Sequence, residues 1–372
     1  MDFEAYRDEF PILETKNYQN TCSLGPLSTW SRDAAARFYD DWDDLGAHAW
    51  YERWMDALDG IRGQFASLIG ASKEEIALAP NVSSALSVIA SVLPYEERSE
   101  VVTTELDFPT IPYQWKVRPE AEVNLLTSPD SIVIPAEDWE AGVTEKTLAM
   151  ATCHVFFATG FLQNIPALSR LARRTGAVSI VDGYHGAGQL PVDVRELGVD
   201  VYISGSLKWL LGGPGLAFLY VRRERIAEWT PTLTGWFGNA HQFDFDPRKF
   251  AFWEDARRFE VGTPATVVAF NARAGLEMIQ EVGPSQIRDR TLALANDLVE
   301  RAENAKLDVR APPPEARTGI VMVEVSDPAG AVQRLLAHNI IVDARGSRVR
   351  ISPYFYNTFE ENEEVVEVLG KS

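Results

Sequence analysis

Val201-Tyr202-Ile203-Ser204-Gly205-Ser206-Leu207-Lys208-Trp209-Leu210-Leu211-Gly212-Gly213-Pro214-Gly215 runs from an apolar stretch, through one lysine, into a glycine-proline turn. The apolar part, rich in β-branched and aromatic residues, reads as a strand buried on both faces. Lys208 then stands among leucine and tryptophan, where desolvation lowers an amine's pKa and frees it to form an imine. A lone lysine is usually a surface residue, so the stretch gains meaning only from its surroundings.

Upstream, Val178-Ser179-Ile180-Val181-Asp182 is a second such run and is followed by Gly183-Tyr184-His185-Gly186. Further apolar runs occupy 75–79, 100–104, 148–153 and 217–221, with helical patterns over 83–93, 166–175 and 192–197 between them. Short strands alternating with helices predict an α/β fold built on a mainly parallel sheet. From Thr263 the pattern changes to long helices over 267–281 and 285–305, short strands near 319–325, 340–342 and 349–352, and a closing helix over 360–369. The expected division is therefore a large domain over 1–262 and a smaller C-terminal α+β domain over 263–372.

Composition narrows the function classes. With 372 residues, 46% of them hydrophobic, the chain can fill a large core. A formal net charge of -19 argues against a nucleic-acid partner, which requires a basic face. No basic stretch followed by an apolar run opens the chain, and the longest apolar stretch, 210–221, is broken by Gly212-Gly-Pro-Gly215, so neither a secretory signal nor a membrane span is expected. Two cysteines, Cys22 and Cys153, fit a reducing cytoplasm. Five scattered histidines show no metal-ligand spacing, so no metal is expected. No Gly-x-Gly-x-x-Gly follows a strand, which disfavours NAD.

In open parallel sheets, ligands sit beyond the carboxyl ends of the strands, so the polar residues there are the candidates. Asn81-Val82-Ser83-Ser84 opens a helix and could form an anion cup or an ordinary cap. Asp182, partly buried, needs a cation: a protonated pyridine nitrogen, or a salt bridge. His185 could meet a phenolic oxygen. Phe108 or His154 could lie flat on an aromatic ring. Arg350, a charge inside Val349-Arg-Ile-Ser352, suits a carboxylate of a substrate or of the protein itself.

Taken in order (anion cup, ring-stacker, Asp-x-x-His, Lys, Arg), these residues resemble the class V aminotransferase branch of fold-type I pyridoxal 5′-phosphate (PLP) enzymes. The resemblance rests on Asp107-Phe-Pro-Thr110, Cys153-His-Val155 with Thr159-Gly160, Val181-Asp-Gly-Tyr-His185 and Ser206-Leu-Lys-Trp-Leu-Leu-Gly-Gly-Pro-Gly215. It continues through Gly235-Trp-Phe-Gly238, Gly262-Thr-Pro264, Arg350-Ile-Ser352 and Tyr356-Asn357. Gly-Trp-Phe-Gly with a later Phe259-Glu-Val-Gly-Thr-Pro264 is most similar to kynureninases.

The resemblance implies a fold-type I architecture with a seven-stranded-type sheet and a cytoplasmic homodimer whose two copies share their active sites. It implies that Lys208 carries PLP and shuttles the Cα proton of an amino acid, with Asp182 on the pyridinium and His185 near the ring oxygen. Ser83, Ser84 and Ser206 would hold the phosphate, with Trp236 and Thr263 reaching across from the partner. Phe108 matches the stacking aromatic of kynureninases, and His154 the stacking histidine of cysteine desulfurases; the Phe-Pro-Thr context favours Phe108. Arg350 would clamp the substrate carboxylate, with Gln163 or Asn164 nearby. Two departures stand out. Leu207 occupies the position of a tyrosine in kynureninases and a histidine in desulfurases, and no cysteine follows Cys153 to carry a persulfide. The implied outcome is a lyase acting at Cβ, with transamination and epimerisation as alternatives on the same apparatus. A non-catalytic protein retaining PLP is a fourth, disfavoured by the joint presence of Lys208, Asp182 and Arg350.

Overall fold

A computed structural model describes residues 3–371. Seven strands form the central sheet: β1 (Ile76–Ala79), β2 (Glu100–Thr104), β3 (Glu122–Leu126), β4 (Thr147–Cys153), β5 (Val178–Asp182), β6 (Val201–Gly205) and β7 (Ala217–Val221). Their spatial order is β1-β7-β6-β5-β4-β2-β3, and only β7 runs against its neighbours. Strands β4 to β7 are buried along their whole length, as continuous apolar runs covered on both faces should be. The expected strands over 100–104, 178–182 and 217–221 match residue for residue. The edge strand β3 was not expected; Glu-Val-Asn-Leu-Leu is only half buried and lacks a clean apolar signal.

Seven helices matter for the site: α1 (Thr29–Leu45), α2 (Met55–Leu68), α3 (Val82–Ala90), α4 (Ile165–Thr175), α5 (Thr266–Val282), α6 (Pro284–Asn304) and α7 (Phe359–Gly370). Helices α1 and α2 pack on α5, and Ala269, Ala272, Leu276 and Ile279 of α5 belong to the same core as the sheet. A second core gathers residues from Ala295 to Leu369. It is built on an antiparallel sheet of β8 (Asp308–Val309), β9 (Val321–Glu324), β10 (Asp343–Arg345) and β11 (Arg348–Ile351), in the order β10-β11-β9-β8. The helix expected over 192–197 begins only at Val194, because Asp193 caps it by accepting from the Arg195 amide at 2.7 Å.

The N-terminal segment ties the two cores together. Asn17–Tyr18 pairs in parallel with Ile340–Ile341, and the Ser352 amide donates to the Gln19 carbonyl at 2.8 Å. That pairing delivers residues 20–25 to the ends of β5 and β6. Gly25 donates its amide to Leu207 O at 2.8 Å, and a Cβ there would lie 2.4 Å from Lys208 O, so only glycine allows the approach. Among the described residues, no helix is long and apolar enough to cross a membrane.

Candidate active site

Asp182 closes β5 in register with Cys153 on β4 and Ile203 on β6, which sets its carboxylate at the carboxyl edge of the sheet. Among the described residues, one hydrogen bond, from the Tyr184 amide at 2.8 Å, reaches that carboxylate. Burial pushes its pKa up to about 6, against the opposing pull of the Tyr184 amide and the Lys208 charge. A buried carboxylate with so little protein satisfaction fits a cationic partner.

Lys208 follows β6 in a half-buried position, and desolvation of its amine pushes its pKa down to about 8. Its Nζ lies 2.9 Å from His185 Nε2 and 4.2 Å from the centroid of the Tyr184 ring. The Phe108 ring centroid is 5.7 Å away. Tyr184 can reach this position because Gly205 has no side chain; a Cβ there would meet the tyrosine ring at 2.1 Å. His185 is held well below the usual imidazole range, by burial first and then by the charges of Lys208, Arg350 and Arg345. It is therefore neutral.

The two candidate ring-stackers occupy different layers. Phe108 is 41% exposed and presents its ring to the lysine. Its turn is pinned by the buried Asp107, which accepts from Thr104 N at 2.9 Å, Thr152 Oγ1 at 2.9 Å and Cys153 N at 2.6 Å. His154 is buried against Tyr202, with Nδ1 3.1 Å from the phenol oxygen, and burial pushes its pKa down to about 4. Gly186 packs directly on it.

At the start of α3, Asn81 caps the helix by accepting from Ser84 N at 2.8 Å. The Ser83 hydroxyl meets Thr110 Oγ1 at 2.9 Å, tying the cup to the Phe108 turn. Ser84, Gly262, Thr263 and Pro264 line one cavity of about 400 Å³. Thr263 accepts a hydrogen bond from Trp236 Nε1 at 3.3 Å. Ser206 faces inward instead: its hydroxyl donates to Gly213 O at 2.6 Å and it is fully buried.

Arg350 is 2% exposed and its Nε/Nη2 edge grips Asp343 at 2.9 and 2.7 Å. Nη1 donates to Phe157 O at 3.0 Å and Nη2 to Ser23 Oγ at 2.7 Å. Burial would raise the Asp343 pKa, yet the Arg350 fork carries it below the ordinary carboxylate value. Gln163 donates to Thr152 Oγ1 at 2.8 Å and to Cys153 O. Asn164 caps α4 by accepting from Ala167 N at 3.2 Å. Both amides thus already have internal duties. Sequence reasoning missed the roles of Tyr184, Asp107 and Trp209; all three lay inside quoted motifs, but their contacts depend on tertiary placement. Among the described residues, no group of His, Cys, Asp and Glu could hold a metal ion.

Comparison with known proteins supplies the rest. The family model described as Aminotransferase class-V matches residues 32–365. An uncharacterized aminotransferase of Bacillus subtilis is 34% identical over 99% of this chain and 97% of its own. A kynureninase of Geobacillus thermodenitrificans is 28% identical over 98% of this chain and 90% of its own. Among solved structures, a cysteine desulfurase from Thermococcus onnurineus superposes with a TM-score of 0.89 at 22% identity, covering 99% of this chain and 97% of the other. At that identity the likeness speaks for the fold.

Proposed function

The chain belongs to the class-V aminotransferase family, and from that premise we propose that it is a PLP-dependent lyase that breaks a bond at Cβ of an α-amino acid. The residues fit the cofactor: a desolvated amine of lowered pKa, a buried carboxylate with one hydrogen bond from the described residues, and a capped helix start within reach of hydroxyls. PLP, when bound, supplies an aldehyde for the lysine and an electron-withdrawing ring that stabilises negative charge at Cα. Lys208 holds the cofactor and moves the Cα proton. Asp182 keeps the ring nitrogen charged, His185 serves the ring oxygen, and Phe108 covers the ring face. Ser83 and Ser84 take the phosphate. Trp236 and Thr263 do so from a second copy of the chain, so that the working unit is a homodimer. Arg350 takes the substrate carboxylate in exchange for the Phe157 O and Ser23 Oγ contacts of its Nη1 and Nη2, while Asp343 holds the Nε side of the guanidinium; Gln163 and Asn164 complete the substrate side.

The observation that carries the lyase reading is the Trp236–Thr263 hydrogen bond, within motifs shared with kynureninases, on a chain 28% identical to one across nearly its whole length. Transamination is the second reading, favoured by the 34% identical relative that is named an aminotransferase. Mass spectrometry of products from a panel of amino acids, with and without a keto acid, separates the two. Side-chain fragments released without a keto acid are expected. Turnover that strictly requires a keto acid, with the side chain intact, would overturn the lyase assignment.

A further inference from the structure

Trp209, next to the lysine and fully buried, directs its indole N–H at a side chain: Nε1 donates to His185 Nδ1 at 3.0 Å. An indole nitrogen can only donate, so Nδ1 must accept. A neutral imidazole that accepts at Nδ1 carries its proton on Nε2. Nε2 lies 2.9 Å from Lys208 Nζ. In this tautomer Nε2–H donates, and the amine must accept through its lone pair, which an ammonium lacks.

We propose that Trp209 is a positioning residue: it locks His185 in the Nε2–H tautomer, making the imidazole a donor toward the reacting centre and favouring the free amine of Lys208 over its ammonium. The idea rests on the roles given above to Lys208 and His185. Both rings are held in place. Tyr354 Oη donates to Gly188 O at 2.6 Å and lies 3.0 Å from Trp209 O, sharing its one proton between them, and its ring meets the indole edge-on at 5.2 Å. Gln189 Nε2 donates to His185 O.

The other charged groups facing the pair act without direction. Arg350 and Arg345 oppose charge on His185, and Asp182 favours charge on Lys208, which Arg350 opposes; the buried Cys22 and Cys153 thiols, pushed up by burial, stay neutral. Only the His185 contact selects between amine and ammonium by hydrogen-bond direction. Residue type alone hides this role, because tryptophan in an apolar segment reads as core.

The test is ¹⁵N NMR of histidine-labelled protein, with the His185 signals assigned by their loss in His185→Gln. Wild type should show protonated Nε2 and unprotonated Nδ1 across the pH range where an ordinary imidazole titrates. Trp209→Phe keeps an aromatic body and deletes the donor. His185 should then shift toward the Nδ1–H form. Where Nε2 becomes an acceptor it favours the ammonium, so capture of added pyridoxal by Lys208 should move to higher pH. At fixed neutral pH it should slow about 3–10-fold, the equivalent of about half to one pH unit. A wild-type His185 protonated at Nδ1 would overturn the proposal, even if the variant fails to fold. So would a Trp209→Phe protein with the same tautomer and the same pH midpoint. Failure of wild type to take up PLP would instead defeat the proposed function, while the tautomer would still be read.

Discussion

Lys208 is pulled in two directions by its neighbours, and the signs can be separated. Burial lowers its pKa to about 8, while the Asp182 carboxylate pulls it back up. Asp182 itself, pushed up to about 6, is ionised at pH 8. Asp182→Asn removes the charge that favours the ammonium, so the pH midpoint for capture of PLP should fall below that of wild type. That direction is opposite to the one expected for Trp209→Phe. The measurement is the rate of growth of the absorbance band near ~400–430 nm after adding PLP to cofactor-free protein, followed against pH. A midpoint that stays or rises in Asp182→Asn would mean that the carboxylate is not charged beside the amine. Asp182, His185 and Lys208 were legible in sequence because each closes or follows an apolar strand, where a polar side chain is conspicuous. Tyr184 was not, since its value lies in a ring plane brought under Nζ by a glycine 21 positions later.

Elements read well from sequence wherever burial is continuous. Strands β2, β5 and β7 were located to the residue because both their faces are covered. Helix α1 was missed for the opposite reason: of its 17 residues only Ser31, Ala34 and Phe38 are buried, which leaves no apolar stripe to detect. Helix α5, beyond residue 263, shares the sheet core and lies against α1. One charged pair joins several elements. Arg62 of α2 forks onto Glu260 with Nε–Oε1 at 3.0 Å and Nη2–Oε2 at 2.9 Å, and Leu78 N of β1 donates to Glu260 Oε1 at 2.9 Å. Both side chains are buried. Glu260 lies two residues before Gly262, so this knot anchors the irregular segment that leads to Thr263. Breaking one partner of a buried pair leaves the other charge uncompensated, at a cost of about 3–5 kcal/mol. Glu260→Gln should therefore lower the midpoint of urea unfolding markedly, whereas Lys73→Gln, in an exposed pair with Asp59, should change it little. Equal midpoints for the two variants would show that the knot contributes nothing beyond a surface bridge.

At the scale of the whole molecule, the surface around Trp236 asks for a partner. Tyr51 meets Phe243 at 5.4 Å, Phe243 meets Trp236 at 6.0 Å and Trp236 stacks on Phe245 at 6.4 Å. These rings form one contiguous patch, and Phe245 at its tip is 70% exposed. Contiguous aromatic surface of this kind marks an interaction site. The patch is continuous with Thr263 through the Trp236 hydrogen bond, which is the pair assigned above to the phosphate of a second copy. Phe245 has φ of 51°, a left-handed conformation that aspartate tolerates well, so Phe245→Asp adds charge without adding backbone strain. A desolvated aromatic anchor contributes about 2 kcal/mol or more to an interface, a factor of ~30 in affinity. Phe245→Asp should thus move the light-scattering mass from dimer toward monomer at micromolar protein. PLP should be lost on dilution in the same variant, because the phosphate site would be incomplete in each copy. Each chain carries a formal net charge of -19, so two copies repel, and screening by added salt should shift the balance back toward the dimer. A variant that remains dimeric with unchanged PLP retention would place the copy-to-copy contact elsewhere and leave Trp236 and Thr263 to serve the cofactor of their own chain.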